Sequence, residues 1–331
     1  MPGHFTACDL RGGKSDYGFT VEAQSTQSDF HKTFSPRSLR LRGEFLDVNG
    51  RIRIMKILVT GGVGKVGQWV VRKLLDSPAH EVTVFDRVPG PERGAVKYLV
   101  GDVQDLGQVM EAIYGAEVVI HLAAIHNPNI ATAIATYQTN VVGTFNVHHA
   151  AFRLGIKRVV SASSNAIVGW SYSESFLPDY LPIDEAHPLR PADVYGLSKE
   201  IGETIAHSYT RKGLETVMLR PSGVVTPEEL EQIKKDGGRR PTGFHAYSYI
   251  DARDLAAAFR LAVERPIPSG TVLFVVADDS TVTEPLCDLY SRVMPSIGDK
   301  ARSLTGNKGS YSNARAKRLL GWQPVHSWRR D

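Results

Sequence analysis

The sequence predicts an α/β fold: a doubly wound parallel sheet with a small C-terminal region built over its strand ends. Two observations carry this. Short apolar runs alternate with longer stretches of helical periodicity from about residue 56 to residue 220, the pattern of a parallel sheet covered on both faces. The first run, Ile57-Leu58-Val59, breaks into glycines at Gly61, Gly64 and Gly67. An apolar-periodic segment with Trp69, Val70, Leu74 and Leu75 follows. Strand, glycine turn and helix together make a place for a pyrophosphate. The first glycine allows the tight turn, the second lets backbone approach the ligand, and the third lets helix pack on strand. Free N–H groups and the positive end of the helix dipole then face the phosphates.

Residues 1–54 differ from the rest. They are rich in Ser, Thr, Gly and charges with little periodicity until Phe45, and such a segment buries too little apolar surface to offset its ordering entropy. A disordered extension is expected there. Arg37, Arg40 and Arg42 invite a transit-peptide reading, but Asp9, Asp16, Glu22 and Asp29 argue against it. Gly13-Lys14-Ser15 resembles the end of a phosphate loop, yet Cys8 stands where that loop needs its first glycine. Met55 directly precedes the first strand, so the functional fold is expected to span 55–331.

Strands are expected at 56–60, 81–86, 96–100, 117–122 and 157–162, and helices at 64–76, 105–114 and 131–154. A long helix over 194–212 and a strand over 216–220 follow. Beyond Pro221 the pattern loosens through a polar, glycine-rich stretch from Lys234 to Gly243. A helix at 251–264, a strand at 272–276 and a last helix at 312–320 complete the chain. The substrate-binding portion is expected mainly from 165–190 and 222–331, over the strand ends where substrates usually sit.

Composition narrows the function. At 42% hydrophobic and 22% charged the chain is an ordinary globular protein of one or two domains. A net charge of +4 is not gathered into a basic stripe with aromatics, so a nucleic-acid partner is not expected. Two cysteines, Cys8 and Cys287, give no disulfide framework and suit a reducing cytoplasm. No apolar run reaches the ~18 residues of a membrane helix, and there is no signal-peptide core. His121, His126, His148 and His149 match no ligand spacing, so no metal is expected.

Two further features strengthen the dinucleotide reading. The second run, Val82-Thr83-Val84-Phe85, ends in Asp86, at about the ~20-residue offset past the last glycine where an acid meets the adenine ribose hydroxyls. Gly101-Asp102-Val103 closes a third strand, where open α/β sheets bind ligands. The carboxylate of Asp86 favours NAD over NADP, since it repels a 2′-phosphate; Lys65 and Arg87 are nearby cations that soften this preference.

The chemistry is carried by Tyr195-Gly196-Leu197-Ser198-Lys199, which puts Tyr195 and Lys199 on one helix face. A cation beside a phenol favours the phenolate, lowering a pKa that starts near ~10. Tyr195 then becomes a usable acid or base for an alcohol–carbonyl pair. An apolar strand ending in Ser161-Ala162-Ser163-Ser164-Asn165 can place a hydroxyl by the same substrate oxygen. Each motif has a plainer reading, a chance spacing or a helix cap; their order after the glycine turn is what raises them. His126-Asn127-Pro128 follows a strand end and is expected to line the substrate pocket. The aromatic stretch from Trp170 to Asp184 reads equally as a specificity lid or as packing.

From about 56 to 324 the chain resembles the extended short-chain dehydrogenase/reductase family, the NAD-dependent epimerase/dehydratase group, with its Rossmann-type sheet. The resemblance rests on Thr60-Gly61-Gly62-Val63-Gly64-Lys65-Val66-Gly67, Asp86, Gly101-Asp102-Val103 and His121-Leu122-Ala123-Ala124. It continues in Asn140-Val141-Val142-Gly143-Thr144, Ser163-Ser164, the Tyr195–Lys199 pentapeptide and Leu219-Arg220-Pro221. It implies that Tyr195 exchanges the proton, Lys199 holds the nicotinamide ribose, and Ser164 rather than Ser163 bonds the substrate oxygen. It also implies cofactor contacts from Gly61, Val63 to Gly67, Asp86, Arg87, Asp102, Val103, Leu122 to Ala124, Asn140, Tyr195, Lys199 and Pro221. Asn140 would support the helix behind the site. His126, Ser164, Asn165 and Tyr195 form the substrate set. Related enzymes commonly form homodimers through the helices at about 105–114 and 131–154.

Family members that dehydrate nucleotide sugars carry an Asp-Glu pair beside the catalytic hydroxyl, whereas Asn165 and Ala166 stand here. Nucleotide-sugar epimerases carry an arginine just before the segment that here reads Tyr247 to Asp251; His245 and Tyr247 fill the nearer positions, with Arg239 and Arg240 further upstream. Ser163-Ser164-Asn165 is similar to uronate dehydrogenases, though Ala166 replaces their histidine and the arginine they place near Phe244 is missing. The reading is a NAD-dependent oxidoreductase or epimerase of a small sugar-like substrate. The alternative class is a non-catalytic dinucleotide-binding redox sensor; such proteins often lose the Tyr or Lys that this chain keeps.

Overall fold

The computed structural model describes residues 54–330 apart from 92, 93, 95, 172–175 and 240–245, together with the short strands 40–41 and 44–45. Arg40–Leu41 pairs antiparallel with Glu44–Phe45. The rest of the expected disordered extension lies outside the described residues.

Seven strands form the main sheet: β1 (Met55–Thr60), β2 (His80–Asp86), β3 (Lys97–Val100), β4 (Val118–His121), β5 (Arg158–Ala162), β6 (Glu215–Pro221) and β7 (Thr271–Val275). They lie in the order β3-β2-β1-β4-β5-β6-β7, and every pairing is parallel. Strand order therefore reverses between β1 and β4, which opens a crevice at their carboxyl ends. A second short parallel pair joins Val224–Val225 to Ile250–Asp251.

The helices are α1 (Gly67–Leu75), α2 (Leu106–Ile113), α3 (Ala133–Tyr137), α4 (Gly143–Arg153), α5 (Val194–Thr210), α6 (Pro227–Lys235), α7 (Ala252–Glu264), α8 (Leu286–Val293) and α9 (Ala314–Leu320). Alternate strand residues feed two cores. Ile57, Val59, Val118, Ile120 and Val160 pack with Val70 and Leu74 of α1, Leu255 and Phe259 of α7 and Leu320 of α9. Leu58, Val119 and Val159 face Val109 and Ile113 of α2, Val147 and Ala151 of α4 and Tyr209 of α5. Each fully buried side chain of this kind contributes roughly 1.5–3 kcal/mol. A third core fills the C-terminal region, where Trp170, Ile183, Tyr247, Phe274, Leu286, Leu289, Tyr290 and Tyr311 meet.

Three expectations change. The helix foreseen over 131–154 is interrupted by a wider π turn at Gln138–Val142. There the Asn140 side chain reaches out of the helix to Ile125 and Ser198, and such bulges recur where a helix meets a function-bearing contact. Helix α1 begins at Gly67 rather than residue 64, because the glycine turn occupies the first positions. Helices α6 and α8 were not foreseen. The start of α6 was nonetheless spelled out: Thr226 Oγ1 accepts the Glu229 N–H, the Glu229 carboxylate accepts the Thr226 N–H, and Pro227 takes the first helical position.

A Cβ on Gly67 would sit 2.1 Å from Gly61 O and 2.6 Å from Gly62 Cα, backbone that cannot rotate away. Gly115, at φ +82°, has nothing within 4 Å of a Cβ. We expect Gly67→Ala to lose about 3 kcal/mol and Gly115→Ala about 1 kcal/mol in denaturant unfolding. Equal losses would contradict the close approach at Gly67.

His121 and His148 are buried in the sheet and the helix behind it. His121 bonds Thr60 Oγ1 and Thr144 Oγ1 through its two ring nitrogens. Burial holds His121 well below the ordinary histidine value and pushes His148 down to about 4. The unfolded chain therefore binds more protons between about pH 6.5 and pH 4, and stability rises with pH across that window. Unfolding free energy should fall between pH 7 and pH 5, and His148→Gln should reduce that slope by up to about 1.4 kcal/mol per pH unit. A slope untouched by the substitution would refute the buried neutral imidazole.

Candidate active site

The glycine turn is built by close approaches. Gly61 takes φ +72°, and a Cβ there would meet Ala123 N at 2.6 Å, so the turn lies directly against the end of β4. Asp86, at the end of β2, accepts the Val63 N–H at 3.0 Å and thereby fixes the acid beside the turn. Thr60 Oγ1 accepts the Ala123 N–H at 3.3 Å, which holds the β4 end in place.

These strand ends surround a cavity of about 820 Å³. Its wall includes Gly61, Val63, Gly64, Lys65, Val66, Gly67, Asp86, Arg87, Val103, Leu122, Ala123, Ala124, His126, Ser164, Asn165, Tyr195, Lys199 and Pro221. Asp102 and Asn140 do not join it. The Asp102 carboxylate accepts the Gln104 N–H in the turn after β3 and faces Arg87 at 4.0 Å. Asn140 clamps both backbone groups of Ile125 and donates to Ser198 Oγ at 2.9 Å. It thus ties the loop after β4 to α5 from behind.

Helix α5 starts on Asp193, whose carboxylate accepts the N–H groups of Tyr195 and Gly196. This cap puts Tyr195 in the first turn, at the cavity, with Lys199 one turn on. The Lys199 ammonium lies 5.7 Å from the Tyr195 ring centroid and donates to Ala162 O at 2.9 Å. Burial lowers Lys199 to about 8, against the pull of the nearby Glu203 carboxylate, which raises it. The two serines part company. Ser163 also lines the cavity, but its hydroxyl donates to Glu203 at 2.6 Å. Ser164 Oγ accepts the Ala166 N–H at 3.1 Å, which leaves its own proton for donation.

Several wall residues were not foreseen. Ser171, Tyr247, Ser248 and Thr281 come from the C-terminal third and the 165–190 segment, where no local motif marks them. Arg239, noted only as a distant cation, also lines the cavity. Tyr247 holds φ +47°, a conformation unusual for a bulky residue, and its carbonyl accepts the Thr281 N–H at 2.9 Å. Lys65 reaches across the cavity edge to the Glu229 carboxylate at 2.7 Å and to Val224 O at 3.0 Å, joining the glycine turn to α6. In the 170–184 stretch the described residues mainly pack: Trp170 lies against Phe176 and Tyr290, and Asp179 pairs with Arg190. Residues 172–175 of that stretch, with Arg240, Phe244 and His245, lie outside the described residues.

The arrangement fits a dinucleotide. Glycines at the close approaches leave backbone open to a pyrophosphate, and an acid stands at the neighbouring strand end. The family model described as the NAD dependent epimerase/dehydratase family matches residues 57–275. An L-arabinose 1-dehydrogenase (NAD(P)(+)) of Haloferax volcanii is 32% identical over 65% of this chain and 85% of its own. A uronate dehydrogenase of Pseudomonas syringae is 29% identical over 69% of this chain and 76% of its own. A short-chain dehydrogenase/reductase superfamily protein of Agrobacterium tumefaciens, solved with bound NAD, superposes with a TM-score of 0.63 at 27% identity over 82% of this chain and 93% of its own. Among the described residues no helix is long and apolar enough to cross a membrane. NAD is the cofactor on which the matching family depends. With its glycine turn, sheet order and matched span, this chain belongs to the NAD dependent epimerase/dehydratase family.

Proposed function

We propose that the chain is a NAD-dependent dehydrogenase of a free sugar or sugar acid, oxidising a hydroxyl-bearing carbon at a Ser164–Tyr195–Lys199 site. One observation carries the reading: these three side chains meet in the same cavity as the glycine turn and Asp86. The two relatives that act on free sugars support the substrate class. Asn165 and Ala166, standing where dehydratases carry an acid pair, argue against loss of water. The functional unit is 55–331, with its substrate wall drawn from 165–190 and 222–331, acting in the cytoplasm. The exposed apolar side chains of α3 and α4, Ile134, Tyr137, Phe145 and Phe152, support a homodimer.

Each residue has a chemical task. Tyr195 takes the substrate hydroxyl proton as a phenolate. Lys199, held on Ala162 O, stabilises that phenolate by its charge. Ser164 donates to the substrate oxygen, and Asn165 and His126 orient the remaining hydroxyls. Asp86 accepts from the adenine ribose, while Gly64 to Gly67 present backbone to the pyrophosphate. Bound NAD supplies the acceptor for the hydride that leaves the same carbon. Holding these groups in register provides much of the rate.

A second reading, epimerisation of a nucleotide sugar, is favoured by Arg239, a cation on the cavity wall able to meet a diphosphate. The test is NADH absorbance when protein and NAD meet a panel of aldoses, uronic acids and nucleotide sugars. We expect NADH to accumulate with an aldose or uronic acid. Epimerised product without net NADH would replace this reading by the second, and no product of either kind would leave a redox sensor. Tyr195→Phe should lower kcat at least about 100-fold, and unchanged turnover would reject the catalytic tyrosine.

A further inference from the structure

Ser163, on the cavity wall, joins Glu203 and Arg220 in a buried group behind it, and none of them has a task in the reaction as read above. Glu203 lies on α5 one turn beyond Lys199, so Tyr195, Lys199 and Glu203 run along one helix face. Its carboxylate accepts from Arg220 Nε at 2.8 Å, Arg220 Nη2 at 2.7 Å and the Ser163 hydroxyl at 2.6 Å. All three side chains are almost wholly buried. Arg220 stands on β6, its guanidinium 5.3 Å from the ring centroid of Phe274 on β7. Burying two charges carries a desolvation cost that well-packed apolar side chains would avoid. The position of this pair beside the lysine therefore asks for a reason other than stability.

The geometry supplies two. Ser163 is the middle residue of Ala162-Ser163-Ser164, the extended segment that leaves the end of β5. Its neighbour Ala162 carries the carbonyl on which Lys199 rests, and its other neighbour is the serine assigned to the substrate oxygen. Gripping Ser163 thus fixes both. The Glu203 carboxylate is also the anion that favours the charged lysine. The other titratable groups around Lys199 are Tyr195 on its own helix and the neutral His121 of β4; Arg220 on β6 stands behind Glu203 and His148 on α4 behind His121. Among the described residues Glu203 is the carboxylate that acts on Lys199.

We propose that the Glu203–Arg220 pair, acting through Ser163, is a positioning element for the reaction: it locks the extended segment at the end of β5 and supplies the carboxylate that faces Lys199. Arg220 holds that carboxylate in place through two hydrogen bonds. The inference rests on the Ser164–Tyr195–Lys199 reading.

Two variants test it, with kcat, KM for NAD, the pH profile and thermal unfolding all measured. In Ser163→Ala the charges stay paired and only the side-chain tether to the segment after β5 is lost. We expect kcat to fall about tenfold at a near-unchanged KM for NAD and unfolding midpoint. In Glu203→Gln the lysine loses its anion and keeps a neighbouring guanidinium, so its proton leaves more easily. The alkaline limb of kcat, expected near pH 8 in the parent, should move about one unit lower. An unchanged kcat in Ser163→Ala, or an unmoved limb in folded Glu203→Gln, overturns the proposal and leaves a merely structural bolt. If Glu203→Gln does not fold, Ser163→Ala decides alone. Tyr195→Phe separates the two readings: full activity there rejects the site itself, whereas lost activity there beside an unaffected Ser163→Ala rejects only the positioning role.

Discussion

The structure depends on a contact with no side chain in it. Gly67, the first residue of α1, lies so close to Gly61 and Gly62 that no Cβ fits between them. That approach brings the helix down onto β1, and Gly61 in turn lies against Ala123 at the end of β4. The two strands on either side of the order reversal are thus held at the distance that makes a crevice. Asp86 locks the third edge by accepting the Val63 N–H. Everything else in the site is hung from the rim this contact creates.

How much of this was legible in sequence follows from the range of each interaction. Strands covered on both faces read as unbroken apolar runs, so β1, β2, β4, β5, β6 and β7 were found within a residue or two. The glycine turn, Asp86 and the Tyr195–Lys199 pair are local patterns and stood out for the same reason. The break at Gln138–Val142 did not, because its cause is a side chain bonding to residues on two other segments. Helix α6 was passed over despite a complete capping box at Thr226 to Glu229, since only Leu230 and Ile233 mark its buried face. Arg239, Tyr247 and Thr281 reach the cavity from far along the chain, and no spacing rule announces that.

The candidate site divides in the same way. Most of the cofactor side comes from one contiguous half of the sheet and was readable from motifs. Asp102 and Asn140 carry family motifs as well, yet one caps a turn and the other braces α5. A motif residue can thus shape the cavity without lining it. Glu203 shows the converse. It sits at helical spacing from Lys199, a spacing visible in the sequence, but its meaning depends on Arg220 and Ser163, which only the sheet brings to it.

The division of the apolar interior into several clusters has an evolutionary consequence. The dinucleotide side rests on the two clusters flanking the sheet, whereas much of the substrate wall rests on its own cluster around Trp170, Tyr290 and Tyr311. Substitutions without shared partners combine almost additively; the clusters meet along β7, where Leu273 and Val275 join one and Phe274 the other. The substrate wall can therefore drift and acquire a new preference while the nucleotide half stays intact. One redox engine can in this way be refitted for many sugars, with specificity changing faster than chemistry.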